Sequence, residues 1–143
     1  MNNGQSRALD LGLLVLRLGI GAVSIVHGVP KFLGGPELWA KLGGALGAFG
    51  IGFAPAFWGF LAACAEALGG VCLVLGIFVR PAAVFMFITM IVAARMLGRM
   101  DGDFTAVSHP LSLAVVFSAL MLTGGGKYAL GAFVKALQDK WFR

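Results

Sequence analysis

Charge is what this sequence has least of. Only 17 of its 143 residues are charged, 11 basic and 6 acidic, about half the usual share of a soluble domain. So few charges do not cover the surface of a soluble globule. The same scarcity excludes an intrinsically disordered chain, which needs low hydrophobicity and high charge. Cysteine and histidine are down to two each, and no CxxC redox motif occurs. No glycine-rich nucleotide fingerprint follows a strand, which argues against a Rossmann site for flavin or nicotinamide. No basic stripe interleaved with aromatics occurs, so nucleic acid is not an expected partner. Internal repeats and low-complexity tracts are absent as well.

Apolar residues take the vacated space. They make up 59% of the chain, and the 22 glycines raise the apolar-plus-glycine share to roughly three-quarters, against about 45–50% in a soluble domain. Four long apolar runs stand out, at about 11–29, 54–79, 81–97 and 109–126. Spanning about 30 Å of hydrocarbon takes roughly 20 helical residues. The chain therefore reads as an all-α integral membrane protein, a single four-helix transmembrane domain over 1–143 in contact with the lipid bilayer. The first run ends at His27-Gly28-Val29-Pro30-Lys31 without a small-x-small cleavage site, so it is read as a helix rather than a signal peptide.

The connections sort the charges. Fourteen of the 17 lie outside the runs; only Arg17, Glu66 and Arg95 fall within. With four helices the termini share one side, which then carries Arg7, Arg80, Lys127, Lys135, Lys140 and Arg143 against Lys31, Lys41 and Arg99 opposite. That bias predicts a multi-pass inner-membrane protein with both termini cytoplasmic. Residues 36–49, with Leu38, Leu42, Ala45 and Phe49 at helical spacing, predict a short interfacial helix after the first span, with Trp39 and Lys41 suited to the interface. Residues 130–142 predict an amphipathic C-terminal tail, with Phe133, Leu137 and Trp141 on one face and Lys135 and Lys140 snorkelling. Gly12, Gly19, Gly21, Gly69, Gly70 and Gly76 suggest faces of close helix packing.

The polar groups within the spans carry the functional reading, because an ionisable side chain in lipid is costly and faces the bundle interior. From the cytoplasmic end of each span, Arg17 falls at roughly 9 Å, His27 at roughly 24 Å and Glu66 at roughly 20 Å. Arg95 falls at roughly 21 Å and His109 at roughly 26 Å. Four helices thus each offer a polar group to one outer-leaflet layer, with Arg17 apart. On the first helix Arg17, Gly21, Ser24, Gly28 and Lys31 form one stripe of polar or small residues, and on the second Glu66, Gly69, Gly70 and Leu73 form a comparable face. If these faces meet, His27 and Arg95 are candidate partners of Glu66. A buried ion pair that only sets helix register is the alternative for any single residue.

Leu16-Arg17-Leu18-Gly19, then His27-Gly28 and Lys31-Phe32, then Glu66-Ala67-Leu68-Gly69-Gly70 with Leu73, Gly76 and Arg80, and finally Gly124-Gly125-Gly126-Lys127-Tyr128-Ala129-Leu130 form an ordered set. It resembles the DoxX family of small four-helix membrane proteins over about residues 10–132. The resemblance implies an inner-membrane bundle linked to quinone chemistry, sulfur oxidation or redox stress, with a soluble redox partner in several members. Its matching positions here are Arg17, His27, Lys31, Glu66, Gly69 and Gly70. Arg95 and His109 come from the depth comparison alone.

A quinone site needs an apolar slot, donors to two carbonyls and a group that moves protons. Glu66 and His27 are the catalytic candidates; Arg17, Lys31, Arg95 and His109 are the ligand-binding ones. Phe32, Phe53, Phe57 and Trp58 could line the slot. A quinone-linked oxidoreductase component is the leading reading, with quinone as the expected cofactor. The alternative is a non-enzymatic membrane anchor, or a protein that binds or transports a small lipophilic ligand. A homo-oligomer is compatible with either. His27, His109 and Glu66 also form a sparse metal or haem set, which lacks any spacing motif. Cys64 and Cys72, about 12 Å apart along one helix, do not pair.

Overall fold

A computed structural model describes residues 3–100 and 103–133. Among them there are five α-helices and one 3-10 segment: α1 (Asn3–Leu33), α2 (Gly35–Gly43), the 3-10 segment (Gly44–Phe49), α3 (Pro55–Leu75), α4 (Val79–Met100) and α5 (Phe104–Thr123). Four of these, α1, α3, α4 and α5, are long and apolar enough to cross a membrane. The chain turns helical again at 130–133, and most of the expected C-terminal tail, including Leu137 and Trp141, lies outside the described residues.

Local chemistry moves the helix ends away from the limits of the apolar runs. α3 opens on Pro55, whose missing N–H is harmless in a first turn. It closes four residues earlier than the apolar run because Gly76 adopts a left-handed conformation, φ 72°, and its N–H caps the Cys72 carbonyl at 2.8 Å. α5 begins five residues before its apolar run because Asp103 caps it, accepting from the Thr105 N–H at 3.2 Å. Gly124, at φ 75°, ends it at Thr123. α1 runs four residues past its apolar stretch. Pro30 removes one backbone donor without ending the helix, and that extra turn carries Lys31.

The long helices form antiparallel neighbours in the order α1, α3, α4, α5, with α2 and the 3-10 segment folded over α3 and α4. Leu73, Met86, Phe117 and Leu120 are fully buried at the centre. Outward faces carry exposed Val15, Val26, Phe85 and Val115, as helices solvated by lipid do.

The two small-residue faces meet. A Cβ on Gly21 would sit 2.9 Å from the Gly70 carbonyl oxygen, and one on Gly28 would strike the Ala67 backbone. α1 and α3 therefore approach backbone to backbone, as small residues permit in lipid. Gly69 receives Met86 of α4. Gly12 and Gly19 differ from expectation: nothing lies near them, and they belong to no packing face. α2 is pinned in the same way, since Gly43 abuts the Pro55 carbonyl and Gly59 the Trp39 carbonyl.

Gly28→Val therefore forces the α1–α3 contact apart. We expect it to cost at least about 2 kcal/mol in detergent unfolding. Gly12→Ala should be neutral or stabilising by up to about 1 kcal/mol; equal losses from both would refute close packing at Gly28.

Candidate functional site

Glu66 sits on α3, roughly 17 Å from its first residue and roughly 14 Å from its last. It lies near the middle of the helix, as it does in the apolar run. Only 5% of the residue is exposed. Its partner is Lys31: Nζ donates to Oε2 at 2.5 Å, an ion pair between the last turn of α1 and the middle of α3. The Lys31 side chain keeps 34% of its surface, so its stem lies along the protein and its ammonium reaches inward. Burial of a carboxylate without a cation would be costly, and the lysine removes that cost.

Lys31 is held by its own backbone as well. Its carbonyl accepts from Trp39 Nε1 at 2.9 Å. The Trp39 ring packs on Phe60, centroids 4.8 Å apart, and Phe32 packs on the same ring at 5.8 Å. The end of α1 is thereby clamped to both α2 and α3. Trp39 is thus half-buried, with its ring against Phe60, while Lys41 is exposed.

The pair borders a cavity of about 350 Å³ between α3, α4 and the segment folded over them. Trp58, Leu61, Ala62, Ala65 and Glu66 present one face of α3 to it, and Phe85, Thr89 and Val92 face it from α4. Apart from Lys31 and Glu66, its polar groups are few. Thr89 donates its hydroxyl to the Phe85 carbonyl at 2.9 Å. Trp58 Nε1 is buried and has no acceptor among the described residues. The volume lies near the lower end of the range for small-molecule sites, about 300–1,000 Å³.

Arg17 is brought to a different place. It is 1% exposed and donates from Nη1 to the Leu73 carbonyl at 2.8 Å and from Nη2 to the Tyr128 carbonyl at 3.2 Å. It thus answers the partial negative charge at the C-terminus of α3, roughly 10 Å along the helix from Glu66, and does not border the cavity. His27, Arg95 and His109 are all exposed. Each neighbours a buried residue (Gly28, Ala94 and Pro110), and one step along a helix is about 100° of rotation. None of the three joins Glu66 in a hydrogen bond or ion pair among the described residues. No group of three His, Cys, Asp or Glu side chains suited to a metal comes together among the described residues either. Cys64 and Cys72 are both free.

Depth along a helix was readable from the sequence, and direction around it was readable only where small residues marked a stripe. Lys31 lies on that stripe, yet its partnership with Glu66 depended on α1 continuing through Pro30. The unpaired indole of Trp58 had no sequence signal beyond its aromatic character.

Fold and site together define a small multi-pass helical membrane protein with one ion pair on the wall of an apolar cavity. The chain belongs to the DoxX family, whose model matches residues 12–99, a span that includes both Lys31 and Glu66. A curated relative, "Putative oxidoreductase CatD" of Bacillus subtilis (strain 168), is 29% identical over 137 residues, 91% of this chain and 92% of that protein. No solved structure matches the chain.

Removing one partner of the pair should cost more than removing both. We expect Lys31→Met alone to strand a buried carboxylate and lose about 2 kcal/mol, tempered by the partial exposure of the lysine. The Lys31→Met/Glu66→Gln double variant should recover most of it. A strictly additive cycle in detergent unfolding would contradict the pairing.

Proposed function

We propose that this protein is a quinone-linked redox component of the bacterial inner membrane, with both termini cytoplasmic and the quinone ring received in the cavity beside Lys31 and Glu66. The observation that carries this reading is an apolar cavity within the membrane-spanning bundle whose wall holds a single ammonium–carboxylate pair. A quinone ring is apolar on its faces and carries oxygen acceptors at its edge. The cavity offers apolar walls and an ammonium donor on one side, which suit such a ring.

Its size admits the ring rather than a long tail. Leu61, Phe85 and Ile88 border the cavity and are exposed on the outer surface, a side exit toward lipid. A second, wholly apolar cavity of about 290 Å³ shares Leu46, Ile51, Ile88 and Val92 with the first, and an isoprenoid tail fits that path. Ring and tail would thus enter sideways from the bilayer.

Quinone reduction takes up two electrons and two protons. Thiols supply both: two RSH and one quinone give one disulfide and one quinol, with no atoms left over. A soluble redox partner or a small thiol or sulfide is the donor class. In this reaction Lys31 donates a hydrogen bond, then a proton, to a ring oxygen; the Glu66 carboxylate takes up a proton released by the oxidised thiols and returns it to Lys31, and the second thiol proton follows the same route to complete the quinol. The apolar walls exclude water from the transfer. The name of the Bacillus relative, an oxidoreductase, is in keeping with this class of reaction.

The test is thiol- or sulfide-dependent reduction of decylubiquinone by the purified protein in proteoliposomes, measured above a protein-free control. Wild type should turn over. Glu66→Gln should fall at least about 100-fold, the scale of a lost proton-transfer group. His27→Ala should retain its rate, because that ring is exposed. Binding without turnover would instead assign the non-enzymatic reading, a lipophilic-ligand carrier or anchor. A loss in His27→Ala as deep as in Glu66→Gln would contradict the site.

A further inference from the structure

We propose that the site binds the reduced ring, a hydroquinone, more tightly than the quinone, because Glu66 Oε1 accepts a hydrogen bond that only a ring hydroxyl supplies. The inference rests on the quinone reading above and adds to it the redox state that the cavity prefers.

The two oxygens of Glu66 stand in different situations. Oε2 is taken up by the Lys31 ammonium. Oε1 has no hydrogen-bond partner among the described residues, yet it is not sealed inside the protein as Arg17 Nε and Trp58 Nε1 are. The side chain is otherwise almost wholly covered, and the open space that Glu66 borders is the cavity. Its neighbours on α3 close the other directions: Ala63, Ala67, Gly69 and Gly70 are all buried, Gly69 under Met86 and Gly70 against α1. A carboxylate oxygen thus meets the ligand space unanswered, and in apolar surroundings that is costly until a donor arrives.

The ammonium beside it supplies the complement. A lysine carries N–H donors and no acceptor; one N–H goes to Oε2, and the partly exposed side chain borders the same cavity. A ligand atom at this corner therefore meets a donor and an acceptor side by side. A hydrocarbon answers neither, and a quinone carbonyl answers only the ammonium. A ring hydroxyl answers both: its oxygen accepts from Lys31, and its hydrogen goes to Oε1. The second contact forms only once the ring oxygen has received its proton, so it stabilises product over substrate and draws reduction forward. It also divides the work of Glu66, with Oε2 steadying the ammonium and Oε1 holding the hydroxyl.

Binding is measured by titrating the purified full chain in nanodiscs, under argon and without thiol. The probes are decylubiquinone, decylubiquinol and the dimethyl ether of decylubiquinol, which keeps both ring oxygens as acceptors and has no hydroxyl. We expect decylubiquinol to bind at least about tenfold more tightly than decylubiquinone, the scale of one hydrogen bond to a charged group. The diether should bind no more tightly than the quinone. A tenfold ratio places the midpoint potential of the bound couple about 30 mV above that of the free one. In Glu66→Gln the amide oxygen stays with Lys31 and the amide N–H group meets the cavity, so the quinol preference should vanish or reverse. Wild type that binds quinone as tightly as quinol, or the diether as tightly as quinol, overturns the inference while leaving the quinone reading standing. A quinol preference undiminished in Glu66→Gln overturns it too. If wild type binds none of the three probes, both this inference and the quinone reading fall.

Discussion

The rest of the molecule depends on how closely α1 approaches α3. In lipid no hydrophobic drive pushes two apolar helices together, so association relies on contact and hydrogen bonding. Gly21, Gly28 and Gly70 let the two backbones touch. That contact sets the rotation of α1, and the rotation directs Lys31 toward Glu66 and Arg17 toward the end of α3. With side chains larger than hydrogen at these positions, neither cation would reach its partner.

Two ionic groups are buried by opposite solutions. Arg17 has no carboxylate partner among the described residues; its two Nη groups donate to carbonyls at a helix terminus and to that of Tyr128, while its buried Nε has no partner among the described residues, and these bonds fix it as a fastening between α1, α3 and the segment after α5. Glu66 instead meets a side-chain cation that remains partly exposed. A carbonyl cannot give up or accept a proton under ordinary conditions, whereas an ammonium–carboxylate pair can exchange one. The difference separates a structural charge from one suited to chemistry. It also explains why a chain so poor in charge keeps these groups at membrane depth.

The all-helical membrane class, the four spans and the short helix after the first were legible from apolar run length and spacing, because lipid demands both. The α1 and α3 faces were legible too, since small and polar residues recurred at three and four. Helix ends were less so: left-handed Gly76 and the Asp103 cap act through one residue each and leave the surrounding hydropathy unchanged. The expected polar layer of His27, Glu66, Arg95 and His109 does not assemble around Glu66, for depth specifies one coordinate and a side chain also needs an angle. His27 adjoins buried Gly28 and still faces outward. The cavity arises from α2 and the 3-10 segment folding over α3 and α4, an arrangement fixed by contacts among residues distant in sequence.

The central claim is that a quinone ring occupies the cavity beside Lys31 and Glu66. It is tested most directly by a photoreactive azido-quinone, cross-linked to the protein in membranes and mapped by peptide sequencing. The account predicts label on residues 58–66 of α3 and 85–96 of α4, competed away by unlabelled decylubiquinone. Label concentrated on exposed surfaces around His27 or His109, or label that decylubiquinone does not displace, would contradict it.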